Sequence, residues 1–79
     1  MLNFIRQKYQ QFKSRPINNL EIEDFRSDIT MYYITVVREA KTWDETEAAI
    51  SIRDMGMRAL MKRDRHGVYE CIRQLKAKL

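Results

Sequence analysis

Cysteine, histidine, proline and glycine are all scarce in this 79-residue chain, present as one, one, one and two copies. A single cysteine, Cys71, excludes an internal disulfide and leaves a four-ligand zinc site unsupported. A lone thiol also fits a reducing cytosol. Two glycines, Gly56 and Gly67, build no Gly-rich phosphate loop, and one histidine makes no His-x-x-x-His metal pair. His66 and Cys71 stand about 140° apart around a helix, so they do not meet as base and nucleophile. Long hydrophobic runs are missing too. The longest nearly apolar stretch, Ile29 to Val37, has nine residues including two threonines, whereas a spanning helix needs about 20. The N-terminal stretch places Arg6 and Lys8 where a signal peptide carries its hydrophobic region. The expectation is a cytoplasmic protein that is not an enzyme and holds no cofactor or metal.

What the chain does have is charge and apolar residues at helical spacing. One third of it is charged and the formal net charge is +4. Residues 1–20 hold Arg6, Lys8, Lys13 and Arg15 without an acid, and residues 57–79 hold seven Lys/Arg against Asp64 and Glu70. Acids gather at Glu21, Glu23, Asp24 and Asp28, and again at Asp44, Glu45 and Glu47. Acids at helix starts and bases at helix ends are what the helix dipole favours, so the pattern marks boundaries before it marks a ligand.

Leu2, Ile5, Tyr9 and Phe12 repeat at 3, 4, 3 spacing and predict a first helix over 3–14, stopped by Pro16. Asn18 with Glu21 predicts a capped start, flanked by an Ile17–Ile22 staple, for a second helix over 19–41. Ile29 to Val37 is rich in β-branched and aromatic residues, which suit strands. It does not alternate, however, and the 3.6-residue period continues on both sides, which predicts helix. Thr42-Trp43-Asp44-Glu45 matches a capping box and opens a third helix over 44–65. The connection is short enough to make helices two and three an antiparallel hairpin. Arg65-His66-Gly67 resembles a C-terminal signal, which places a break at Gly67 and a fourth helix over 68–78 carrying Val68, Ile72, Leu75 and Leu79. The alternative is one continuous terminal helix of about 35 residues, far longer than average. The predicted class is a single all-α domain, a small bundle of three to four helices around that hairpin.

The third helix carries apolar residues on two sides. Ala48, Ile52, Met55, Gly56, Ala59 and Leu60 share one arc, while Ile50, Met57 and Met61 lie opposite. Met31 and Ile34 similarly sit off the main face of the second helix. Burying Ile50, Met57 and Met61 would contribute about 6 kcal/mol together, comparable with the whole stability of a small domain. A chain this short is also poorly able to bury its own apolar surface. The expected role is therefore an interaction protein that docks itself, as a homodimer, or another protein through Met31, Ile34, Ile50, Met57 and Met61. Terminal helices of the same chain covering these residues would be the simpler explanation.

A second reading, from a different class, is nucleic-acid binding. On a continuous helix Arg58, Lys62, Arg65, Arg73 and Lys76 share a side with Tyr69, a basic stripe able to neutralise phosphates. A helix-turn-helix does not fit, because a turn at Gly67 puts Arg63 and Arg73 where small or apolar residues belong. A membrane role for residues 1–15 has weaker support, since an apolar edge opposite bases also describes a terminal helix packed on a core.

Overall fold

The computed structural model describes residues 15–79, which form three helices: α1 (Asn19–Glu39), α2 (Trp43–Met61) and α3 (Arg65–Ala77). Each helix packs on the other two, and no strand occurs among the described residues. The described residues thus form an all-helical bundle of three. The helix expected over residues 3–14 lies outside the described residues.

The start of α1 follows its sequence signal closely. The Asn18 side chain accepts from the Glu21 N–H at 2.9 Å, and the Glu21 carboxylate accepts from the Asn18 N–H at 3.3 Å. Two backbone donors that a helix start leaves unpaired are thereby satisfied. Ile17, just before the cap, is buried, and Ile22 packs against the same core. The β-branched stretch from Ile29 is helical throughout, because Ile29 and Val36 bury one face in the bundle while Phe25, Tyr32, Tyr33 and Val37 pack beside them. Packing overrides local preference here.

α1 ends two residues earlier than expected, with Ala40 extended. Thr42 caps α2 by accepting from the Glu45 N–H at 3.2 Å. The reciprocal arm of the expected box is displaced: Glu45 accepts from the Lys41 N–H at 2.7 Å instead of from Thr42. The effect is the same, since a donor in the connection is satisfied.

The chain does break between the last two helices, but at Arg63 rather than at Gly67. The Arg63 N–H donates to the Leu60 carbonyl at 3.0 Å and the Asp64 N–H to the Ala59 carbonyl at 2.8 Å. These are the paired bonds of a Schellman ending, with Arg63 in the left-handed region at φ 56°. Asp64 then caps α3, its carboxylate accepting from the Gly67 N–H at 3.2 Å. Gly67 is the third residue of α3 and serves a close approach. A Cβ there would stand 2.7 Å from the Cβ of Ala59 and 2.8 Å from the Asp64 carboxylate.

The three helices converge at Gly56. A Cβ on it would overlap the Sγ of Cys71, stand 2.8 Å from the Cβ of Cys71, and lie 3.4 Å from Cδ1 of Ile29. Glycine lets α2 approach α3 and α1 at one point. Around it lie the fully buried Ile29, Val68, Cys71 and Leu75. The Cys71 thiol donates to the Ile52 carbonyl at 3.2 Å, and burial pushes its pKa above the ordinary value. It is a small apolar core residue with one hydrogen bond.

On α2 the covered arc is rotated from its expected position. Ala49 is buried instead of Ala48, Met55 is exposed, and Met57 packs against the core. The shift is roughly 40° toward Met57 at 100° per residue. Packing against two neighbours at once recentres the stripe.

Candidate interaction surfaces

The structure separates the five residues expected to face a partner. Met31 and Ile34 stand one turn apart on the outer side of α1, 54% and 46% exposed. They line a shallow groove with the small polar Ser27, Thr30 and Thr35, and with Glu23, Arg26 and Arg38. Arg26 is paired with Glu23 at 2.8 Å, so much of the charge along this groove is internally balanced. Ile50 lies on α2, half-buried, in a different depression lined by Trp43, Asp44, Glu47, Ala48 and Ser51. The two surfaces share no residue. Met57 is partly covered by its own chain and packs against the core, so it does not stand on a fully free face. Met61 projects from the end of α2.

Two exposed apolar residues escaped the sequence reading. Leu20 is the most exposed large apolar side chain among the described residues. At 100° per residue it stands within about 40° of both Met31 and Ile34, so its phase already placed it on the outer stripe of α1. Trp43 is likewise exposed, as the first residue of α2, in phase with Ile50.

The basic stripe is thinner than its sequence implied. Arg65 is only 7% exposed. Its guanidinium donates two bonds of 2.6 Å to the Glu21 carboxylate, while its Nε donates to the Arg15 carbonyl at 3.0 Å. It also lies 5.6 Å from the Phe25 ring centroid, and Phe25 meets Tyr69 edge to face at 5.6 Å. The Arg65 hydrogen bonds hold the Glu21 carboxyl at about 2, and Glu21 in turn raises the Arg65 pKa. Arg65 is a structural cation, and that corrects its assignment to a phosphate-facing stripe. Arg73 is paired with Glu70, whose carboxyl Arg73 and then Gln74 hold at about 2. Lys76 sits 5.3 Å from the Tyr32 ring centroid. Arg58, Lys62 and Tyr69 remain exposed.

A second set of bonds joins the segment before α1 to the turn between α2 and α3. The Ile17 N–H donates to the Arg63 carbonyl at 3.2 Å, and the Arg63 guanidinium donates to the Ile17 carbonyl at 3.0 Å. With the Arg65 bonds, they clasp residues 15–21 to residues 63–65 and bring Leu20 and Met61 to one end of the bundle.

Among the described residues no group of three or more His, Cys, Asp or Glu side chains is placed to hold a metal ion. No described helix is long and apolar enough to cross a membrane. No protein-family model, curated protein or solved structure matches this chain.

Proposed function

We propose that this is a small cytoplasmic interaction protein without catalytic activity, which docks a protein partner through the outer face of α1. The first partner is a second copy of itself. The α1–α2 pair, taken as an antiparallel hairpin, is the rigid frame that presents the face. The observation that supports this most directly is the exposed pair Met31 and Ile34, one turn apart in a groove otherwise lined by small polar side chains, the Glu23–Arg26 pair and Arg38. Side chains at i and i+3, with Leu20 in phase below them, are the anchors of helix-against-helix recognition. Each is about half covered already, so burying the rest contributes about 1 kcal/mol apiece. That scale fits a reversible association better than an obligate one.

Sedimentation of the wild type and of a Met31→Glu/Ile34→Glu variant tests it. The wild type should gain mass with concentration from micromolar to millimolar, and the variant should stay a single chain with its helix content unchanged. A wild type that remains one chain across that range would overturn self-docking. The nucleic-acid reading now depends on Arg58 and Lys62, exposed and with no side-chain hydrogen bond or ion pair among the described residues. It would be favoured by salt-sensitive binding to duplex DNA that Arg58→Ala/Lys62→Ala abolishes on every sequence tried.

A further inference from the structure

Along the outer stripe of α1 the charges are set as opposites about Met31. Asp24 stands seven residues before it and Arg38 seven after, each about 10 Å away along the axis and within about 20° of its phase. Both are exposed, and neither side chain has a hydrogen bond, ion pair or ring contact among the described residues. Glu23, beside Asp24, is already held by Arg26. Asp28 stands at the edge of the stripe, in the same acidic half. The stripe therefore presents an unengaged acid, an apolar centre and an unengaged base, in that order.

Such a surface is complementary to itself when reversed. A twofold axis beside Met31 sets Arg38 of each copy against Asp24 of the other, closing two ion pairs about 20 Å apart on either side of the Met31 side chains. Ile34 then falls beside Ser27 of the other copy, where a small side chain leaves room for it. Helices running the same way would instead bring Arg38 to Arg38 and Asp24 to Asp24, which like-charge repulsion opposes.

We infer that two copies of the chain pair antiparallel through α1, with Arg38 as the residue that selects this direction. This pairing rests on the self-docking reading above and adds to it a direction, a register and two charged residues. A second copy carries the matching charges at the matching spacing by symmetry.

Sedimentation equilibrium of four samples tests the pairing: wild type, Arg38→Glu, Asp24→Lys, and an equal mixture of the two variants. Each single change turns both ion pairs into like-charge contacts and should weaken self-association about tenfold. In the mixture the two variants meet with opposite charges at both places, so the affinity should return to near the wild-type value. Both positions are exposed, so circular dichroism should show each variant folded. Direction is read separately from nitroxide labels on Asn19→Cys, an exposed position off the stripe. The buried Cys71 stays unlabelled. Across an antiparallel pair the labels should stand about 35 Å apart, and across a parallel pair under about 20 Å. Three results would overturn the pairing while leaving self-docking on α1 in place: wild-type affinity in Arg38→Glu, no recovery in the mixture, or a short distance between labels. A wild type that stays one chain up to millimolar concentration would end both.

Discussion

Replacing Gly56 by alanine sets two effects against each other, and their sizes decide the outcome. In a helix interior alanine is favoured over glycine by about 1 kcal/mol. Against this, the new methyl would stand 2.8 Å from the Cβ of Cys71 and closer still to its Sγ. The thiol can swing aside at the expense of its hydrogen bond to Ile52. The Cβ cannot, because it is fixed to the α3 backbone, so α3 must retreat by several tenths of an ångström. That movement loosens Val68 and Leu75, which are fully buried on the same helix. Overpacking of this kind, with the backbone shift it forces, costs about 1–3 kcal/mol. Gly56→Ala is therefore expected to destabilise the protein by up to about 2 kcal/mol net, a large share of a small domain's stability. Cys71→Ala removes the Sγ but leaves the Cβ, so part of the conflict should vanish in that background. A double-mutant cycle should then show a favourable coupling of about 0.5–1 kcal/mol. Urea unfolding of the four proteins, followed by circular dichroism, provides all the values. A Gly56→Ala protein as stable as the wild type, or more so, would refute the close crossing.

Three further outcomes are expected. The Glu21 carboxyl is held at about 2 in the folded state against 4.5 as its ordinary value. Its stabilising contribution is thus complete above about pH 4.5 and is lost as pH falls from there through 2. Glu21→Gln should flatten that part of the urea-midpoint profile, and an unchanged slope would show that other carboxylates dominate it. Asn18→Ala should cost about 1 kcal/mol through loss of the α1 cap, read as a drop in urea midpoint without a change in slope. Cys71, buried and with its pKa raised, should react with a thiol reagent only at the rate of unfolding, so that urea accelerates the reaction. Rapid labelling of the native protein would contradict its burial.

Much of this bundle could be read from local patterns. The Asn18–Glu21 box, the Thr42 cap and the periodic burial of Ile29 and Val36 all follow rules that act over three or four residues, and the structure shows each. The break before α3 was legible as a break but misplaced. Two signals competed there: Gly67 as a helix ending, and Asp64 as a helix start with its acceptor three residues ahead of the Gly67 N–H. Glycine normally takes the left-handed position, yet Arg63 holds it because its side chain and carbonyl both bond to Ile17, 46 residues away. No local pattern contains that partner. Arg65 was misread for the same reason, since Glu21 lies 44 residues before it. Met57 and Met61 share a face on the wheel, but only the arrangement of α1 and α3 decides that Met57 is partly covered and Met61 is not.

The clasp between residues 15–21 and 63–65 also governs when the molecule can form. During synthesis the cap of α1 emerges early, but Glu21 and the Ile17 backbone wait for Arg63 and Arg65 to leave the ribosome. Until then the first helix has its local bonds without its anchor. The fold is therefore completed only once residues 63–65 are available, rather than assembled helix by helix as the polypeptide grows.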